Sequence, residues 1–268
     1  MNVLREGAAG PDVSRLQSRL AELGFPPGTI DGSFGPGTEA ALIAFQRSEG
    51  LLADGVLGPR TAKALGFAED LPPAEPMPAI TVSIVAKMFP ATPLDHIQRN
   101  LPAVLAALRA RDLAAAPIML AALATIRAET EGFVPVSEGV SRYNTSPGGR
   151  PFDLYDNRRD LGNQGPPDGA NFRGRGFIQL TGRANYARYG AMIGLENRLV
   201  ASPDEANDPA IAAQLLAAFI FAQEIPIKAA LLAGDLAAAR RLVNGGTHGL
   251  DRFSEAYRIG KELLALNA

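Results

Sequence analysis

Two glutamates near the middle of this 268-residue chain have the residue type and the setting for acid–base chemistry. Glu129 ends a strongly apolar stretch, and helical spacing puts Ala122, Thr125 and Ile126 on its side of a predicted helix. A carboxylic acid among such neighbours is partly withdrawn from water, which favours the protonated form that a general acid needs. Glu138 follows in the next loop. One acid on a buried helix end and one carboxylate on a nearby loop are the minimum for hydrolysing a glycosidic bond.

A second polar group lies in the segment FRGRGFIQLTGRANY, residues 172–186. Its apolar centre, residues 177–180, predicts a short strand entered through glycines, where a backbone can approach a ligand closely. Gln179 and Thr181 would then point to one side of the strand, with Asn185 just beyond. This row of neutral donors and acceptors suits sugar hydroxyls, amides and a bound water. The three arginines of the segment are expected to brace the cleft or to meet acidic groups of the substrate.

The composition excludes several classes of protein. A formal net charge of -2 disfavours a nucleic-acid partner, because such affinity comes largely from a strongly basic face. The chain has no cysteine, which excludes disulfides, thiolate zinc sites and cysteine nucleophiles such as those of L,D-transpeptidases. His96 and His248 are isolated, whereas zinc peptidases and amidases need histidines at metal-ligand spacing. The sequence has no G-x-S-x-G motif of a serine hydrolase, and we expect neither a metal nor another cofactor.

The elements that carry these residues fall into two parts, and the first part contains an internal repeat. The stretch DGSFGPGTEAAL, residues 31–42, recurs as DGVLGPRTAKAL, residues 54–65. Each copy predicts a tight Asp-Gly turn, a Gly-Pro break and a helix capped by Thr38 or Thr61. Upstream, the apolar residues of DVSRLQSRLAELGF recur at helical spacing. Residues 1–66 are therefore predicted to form a compact bundle of three short helices.

This first part resembles the type 1 peptidoglycan-binding domain of cell-wall enzymes. The residues that match are Leu16, Gln17, Leu23, Gly24, Asp31, Gly32, Phe34, Gly35, Thr38, Ala41, Phe45, Gln46, Asp54, Gly55, Gly58 and Thr61. The resemblance implies a module that binds peptidoglycan, although most of these residues are of the types that build turns and a core.

The proline-rich, acidic stretch FAEDLPPAEPMP, residues 67–78, predicts an extended tether between the two parts. Residues 79–268 have helical periodicity and little strand pattern, so we predict a mainly α second domain. Two apolar runs, residues 113–126 and 210–222, are shorter than the roughly 18–20 residues of a membrane span and are predicted to be buried helices. The start of the chain lacks the apolar core of a secretion signal, so we expect synthesis without a signal peptide and no stable membrane insertion.

The second part resembles the lysozyme-like catalytic domain of glycoside hydrolase family 19, which includes chitinases and phage endolysins. The stretches that match are AETEGF, GRGFIQLTGRANY, DPAIAAQLLAAFIF and VNGGTHGLDR. The resemblance implies a lysozyme-like α-helical fold with a minor β component. It implies that Glu129 is the general acid, that Glu138 is the base that activates water, and that Thr181 helps to hold that water. The residues it assigns to substrate binding are Gln179, Asn185, Tyr186, Asn244 and Arg252, the last of which matches an arginine that orients the acid.

The sequence departs from the pattern of this family at two points. Ala128 stands where the plant-like branch often has a histidine before the acid. Glu131 competes for the role of second carboxylate. If the helix continues, Glu131 should point away from Glu129, because residues two apart do not share a helix face, and Glu138 is therefore preferred.

Together these features predict an endolysin that hydrolyses the β-1,4 bond of peptidoglycan with inversion, with its two carboxyl groups roughly 6.5–9.5 Å apart. We expect a monomer that reaches the wall after release from the host cytoplasm, in the simplest case through the holin of a phage. A secreted antibacterial effector is the alternative to a phage endolysin. A chitinase and a catalytically inactive wall-binding protein are the alternatives for the function.

Overall fold

The computed structural model describes residues 4–49, 51–67, 79–244, 246 and 248–265, and the chain divides into two compact units, Met1–Met77 and Pro78–Ala268. Both units are built mainly from helices, which confirms the predicted mainly α fold class. The predicted tether, residues 67–78, lies outside the described residues apart from Phe67, which packs in the core of the first unit.

Within the described part of the first unit, three short helices pack together: α1 (Pro11–Glu22), α2 (Pro36–Ser48) and α3 (Pro59–Ala64). Each begins with a proline, whose missing N–H costs little there because the first donors of a helix have no partner within it. Their apolar faces meet in one core, which includes Val13, Leu16, Leu20, Phe34, Leu42, Phe45, Leu57, Leu65 and Phe67. The predicted bundle is confirmed.

One buried glutamine holds each copy of the repeat. Gln17 donates to the Asp31 carboxylate (3.0 Å) and to the Thr38 hydroxyl (3.0 Å). Gln46 makes the equivalent bonds in the second copy, where its partner hydroxyl is that of Thr61 (3.2 Å). The predicted capping role of the two threonines is wrong, because both helices begin at the preceding proline and enclose the threonine in their first turn.

The described part of the second unit contains eleven helices and a two-stranded sheet. The helices are α4 (Val82–Met88), α5 (Leu94–Ala110), α6 (Ala116–Glu129), α7 (Asp153–Asp156), α8 (Asp168–Asn171), α9 (Arg183–Met192), α10 (Arg198–Ala201), α11 (Pro209–Ala222), α12 (Glu224–Leu232), α13 (Leu236–Asn244) and α14 (Leu250–Ala265). Short 3-10 helices lie at Arg159–Leu161 and Pro203–Asn207.

The central helix of this unit is α6, in which every residue from Ile118 to Ile126 is buried. It contacts α14 along its length and also contacts α11, α12 and α13. Because α11 is largely buried as well, both apolar runs are confirmed as core helices. Among the described residues, no single helix is long and apolar enough to cross a membrane, and α11 with α12 passes that test only as a pair bent by 69°.

The sheet pairs β1 (Val136–Ser137) antiparallel with β2 (Arg175–Gly176). The chain turns back directly after β2, because Arg175 and Leu180 exchange both of their backbone hydrogen bonds (3.2 and 2.9 Å). The predicted strand at residues 177–180 is therefore wrong. The extended segment is shorter and earlier, and the apolar residues that suggested a strand form the turn that follows it.

Candidate active site

The candidate acid, Glu129, is the last residue of α6, and its side chain is only 11% exposed. Its Oε1 lies 2.7 Å from Nη2 of Arg240, a fully buried arginine on α13. The Nε of Arg240 also donates to the His248 carbonyl (2.9 Å), which fixes the guanidinium beside the carboxylate. The described contacts of Glu129 engage Oε1, so Oε2 is the oxygen that can carry a proton.

The prediction that Arg252 orients Glu129 is wrong, since Arg240 makes that contact. Arg252 forms an ion pair with Glu131 instead. The cause is local: α6 ends at Glu129, and a positive φ of 49° at Glu131 takes the chain out of the helical path. The helix therefore does not continue to Glu131, as the prediction of a separate direction had assumed, and Glu131 is 55% exposed and paired with a different arginine from Glu129.

The candidate base, Glu138, follows β1 directly and is held by three donors. The Asn144 amide (2.9 Å) and the Tyr155 hydroxyl (3.0 Å) donate to Oε1, and the Gly174 N–H (3.1 Å) donates to Oε2. Burial, followed by the negative charge of Glu138, raises the pKa of Tyr155 to about 12. The Tyr155 hydroxyl therefore remains a donor near neutral pH. Three donors facing two oxygens match an ionised carboxylate, which only accepts hydrogen bonds.

The segment that joins the two glutamates, residues 130–137, is anchored along its length. The Asn100 amide of α5 donates to the Phe133 carbonyl (2.9 Å), and Nδ1 of His96 lies 2.9 Å from the Gly132 carbonyl oxygen. Val136 pairs in β1, and its carbonyl accepts a hydrogen bond from Gln179 (3.0 Å). The two carboxylates are therefore attached to the ends of a fixed backbone rather than to a free loop.

Gln179, Thr181 and Asn185 form a chain of hydrogen bonds, and Gln179 lies near Glu138. The Thr181 hydroxyl donates to the Gln179 carbonyl (2.8 Å), and the Asn185 amide donates to the Thr181 carbonyl (2.7 Å). A Cβ on Gly174 would lie 2.8 Å from Gln179 Oε1 and 3.3 Å from Glu138 Oε2. The structure thus brings Gln179 and Glu138 together around Gly174, and the Thr181 oxygen keeps lone pairs that can accept from a water.

The structure contradicts one further predicted substrate contact, Tyr186, and does not describe the side chain of another, Asn244. Tyr186 is completely buried, its hydroxyl donates to the Arg173 carbonyl (2.8 Å) and it accepts from Arg175 (3.0 Å). It is a core residue that supports the wall of the site, so its assignment to substrate binding is corrected. The side chain of Asn244, at the end of α13, lies outside the described side chains, and its role stays a prediction.

The three arginines of this segment make contacts within the fold. Arg175 is buried and forms an ion pair with Asp204 (2.6 Å). Arg183 binds both oxygens of the buried Asp168 (2.6 and 2.7 Å) and holds the pKa of that carboxyl below its usual value. Arg173 donates to the Ala170 carbonyl (2.7 Å). These charges are used inside the fold.

Three residues that contact the candidate carboxylates were not found from the sequence. Arg240 reaches Glu129 from a distant helix, and no local pattern marks it among the other basic residues of AARRLVN. Asn144 and Tyr155 lie in the long irregular region after Glu138. Their spacing follows neither helical nor strand periodicity, so only the tertiary fold brings them to the carboxylate.

The described residues contain no group of three or more His, Cys, Asp and Glu side chains that could hold a metal ion. The surface cavities of the second unit include one on α14 and one beside α5. One of about 520 Å³ runs along α14 and includes Arg252, and one of about 710 Å³ lies between α5, the end of α9 and α11. Neither is lined by Glu129 or Glu138, so the assignment of the site rests on the hydrogen-bonded carboxylates and not on cavity size.

Comparison with known proteins bears on the first unit. Residues 9–65 match a family model described as "Putative peptidoglycan binding domain". The N-terminal unit is a peptidoglycan-binding domain. Over 58 residues the chain is 52% identical to N-acetylmuramoyl-L-alanine amidase CwlM of Mycobacterium tuberculosis. This match covers 22% of this chain and 14% of the amidase. Over 63 residues it is 49% identical to a spore cortex-lytic enzyme of Bacillus cereus, covering 24% of each.

Outside the peptidoglycan-binding domain these comparisons say little. The chain spans only 14% of the amidase and 24% of the cortex-lytic enzyme. The crystal structure of Burkholderia AP3 phage endolysin matches 97% of this chain and 100% of that chain, at 22% identity and a TM-score of 0.26. At that identity and TM-score, the likeness does not carry an activity over to the second unit.

Proposed function

We propose that this protein is a cell-wall hydrolase that cleaves the β-1,4 glycosidic bond of peptidoglycan with inversion. The observation that carries the proposal is the contrast between two carboxylates at the ends of one anchored segment. Glu129 is largely withdrawn from water and has one oxygen engaged, whereas Glu138 is held by three donors. Pairs of carboxyl groups in such unlike environments serve as acid and base in glycosidases. The peptidoglycan-binding domain supports the wall as substrate.

In this mechanism Glu129 gives its proton to the glycosidic oxygen as the bond from that oxygen to the anomeric carbon breaks. Glu138 takes a proton from a water on the opposite face, and the oxygen of that water forms the new bond to the anomeric carbon. Thr181 accepts a hydrogen bond from the water, while Gln179 and Asn185 bind hydroxyl and acetamido groups. Arg240 fixes the rotamer of Glu129, and Asn144, Tyr155 and Gly174 fix that of Glu138.

The test is mass spectrometry of the products released from purified peptidoglycan sacculi. Glu129→Gln and Glu138→Gln should each lower the rate of release by on the order of 10²–10⁴, the range for loss of a general acid or base. Glu131→Gln is the matched control, because this nearby glutamate is exposed and paired with Arg252. It should retain ordinary activity.

The products distinguish the candidate functions. New reducing-end N-acetylmuramic acid, lost in Glu129→Gln, would support a muramidase, and reducing-end N-acetylglucosamine would move the cleaved bond. Cut stem peptides with intact glycan would contradict the proposal and favour an amidase or peptidase. Cleavage of chitin but not of sacculi would favour the chitinase, and binding without turnover would favour an inactive wall-binding protein. The monomeric state and release through a phage holin stay predictions.

A further inference from the structure

A turn beside the candidate base displays an aromatic ring to solvent. Tyr143 is the most exposed large hydrophobic side chain in the described part of the chain, at 73%. It lies at the tip of a turn, residues 141–144, which is closed by a hydrogen bond from the Asn144 N–H to the Ser141 carbonyl (3.2 Å). Folding normally removes such a ring from water. Its exposure leaves the ring available to contact a ligand.

The turn fixes the backbone that carries the ring, and a neighbouring side chain packs on the ring. The Asn144 side chain is completely buried, accepts from the Ser141 N–H (2.8 Å) and donates to the Gly139 carbonyl (2.8 Å). Arg142 lies over the ring, with its guanidinium carbon 4.9 Å from the centroid, and donates to the Tyr143 hydroxyl (2.6 Å). A ring that is ordered before binding loses little conformational freedom when a ligand arrives.

The same asparagine connects the ring to the site. Its amide donates to Oε1 of Glu138 (2.9 Å), so Tyr143 is one residue away from a side chain in direct contact with the candidate base. Val140, between Glu138 and the turn, is 62% exposed and adds apolar surface to the same stretch. An apolar surface next to a hydrogen-bonded carboxylate suits a ligand with both apolar and polar faces.

We propose that Tyr143 is a stacking platform for one N-acetylated pyranose ring of the glycan strand, in a subsite next to the cleaved bond. The flat face of a β-linked pyranose presents C–H groups, and the face of an aromatic ring carries the negative part of its quadrupole, so the two attract each other. The chain has no tryptophan to supply this surface. The inference rests on the proposed function, because it takes Glu138 as the base.

The experiment compares Tyr143→Ala and Tyr143→Phe in the full-length chain on purified soluble glycan strands. Leu232→Ala is the control, since Leu232 is 68% exposed on α12 and has no part in the site. Tyr143→Ala should raise KM roughly tenfold, with little change in kcat, because stacking of this kind is lost. Tyr143→Phe keeps the ring and should recover most of the loss. The thermal unfolding midpoints of all three should match that of the wild type.

An unchanged KM in Tyr143→Ala would overturn the platform, and so would an equal loss in the alanine and phenylalanine variants. If the wild type releases no new reducing ends, the proposed function fails, and a second measurement then tests the platform alone. Binding of a soluble β-1,4-linked N-acetylglucosamine hexamer is measured by calorimetry in the same variants. Weaker binding by the alanine variant supports the platform, and equal binding by all variants refutes it.

Discussion

The contact between Gly174 and Glu138 gives the sharpest test of the candidate site, through Gly174→Ala. The Gly174 N–H donates to Glu138 Oε2, and its carbonyl accepts from the Glu138 N–H (2.8 Å). An added Cβ would lie 2.8 Å from Gln179 Oε1 and 3.3 Å from Glu138 Cβ. No positive φ is required at this position, so the strain of an alanine comes from the neighbouring side chains and not from the backbone.

The size of the effect of Gly174→Ala depends on whether the Gln179 side chain can move away from the added methyl group. The amide nitrogen of Gln179 is bonded to the Val136 carbonyl (3.0 Å), so its oxygen cannot swing away without breaking that bond. Inserting a methyl group into a packed site costs about 1–3 kcal/mol, and the restricted unfolded chain returns about 0.4–1 kcal/mol. The net loss of stability should be about 1 kcal/mol. The larger effect is on catalysis, where a misplacement of about 1 Å can cost on the order of 10²-fold in rate.

The assay is kcat on sacculi beside the unfolding midpoint of the second unit by scanning calorimetry. Gly139→Ala is the matched control, because Gly139 adjoins Glu138 but a Cβ there would meet nothing within 4 Å. We expect kcat to fall about a hundredfold in Gly174→Ala and to stay within twofold in Gly139→Ala. A folded Gly174→Ala enzyme with wild-type kcat would refute the reasoning, because the carboxylate and amide could not then depend on this close approach.

Two further predictions concern stability. Gly260→Ala places a Cβ 2.5 Å from Leu120 Cδ2 where α14 crosses α6. The overpacking should outweigh the gain in helix propensity of about 1 kcal/mol and lower the calorimetric midpoint, and a raised midpoint would contradict it. Arg183→Met leaves the buried Asp168 unpaired and should cost roughly 2–3 kcal/mol near pH 7, less than a fully buried pair because Arg183 is 29% exposed. Since the pKa of Asp168 is lowered in the folded state, this difference should be complete above pH about 3.9 and disappear as the pH falls below it, and a pH-independent difference would contradict the assignment.

Helical periodicity predicted the fold well wherever a helix buries one face or is apolar all round. The central helix α6, the buried α11 and the three-helix first unit all follow from residues at regular spacing. The wrong predictions concern residues whose sequence pattern fits two different local structures. Thr38 has the residue type of a helix cap, but the proline before it starts the helix and turns the hydroxyl to Gln17. The apolar residues 177–180 suit a strand or a hydrophobic turn equally. In the structure they form a turn, because the backbone of Arg175 is hydrogen-bonded to that of Leu180.

The sequence singled out the two carboxylates of the candidate site, but it did not identify the side chains that hydrogen-bond to them. Glu129 stands out because a charge at the end of an apolar helix is conspicuous in the sequence. Arg240 does not stand out, because the contact joins two helices that are far apart in the chain. Tyr186 was assigned to substrate binding by the family resemblance, yet its ring lies in the core and its hydroxyl donates to a backbone carbonyl. Residue type alone does not distinguish a tyrosine that binds substrate from one that packs in the core.

The environment of Glu129 combines burial with one charged partner. Its side chain is 11% exposed, and Nη2 of the fully buried Arg240 lies 2.7 Å from its Oε1. Arg240 is itself anchored, because its Nε donates to the His248 carbonyl (2.9 Å), so it holds Oε1 of Glu129 in a fixed position. Glu138 differs, since all three of its donors belong to uncharged groups, and it is on this contrast that we propose Glu129 as the acid and Glu138 as the base.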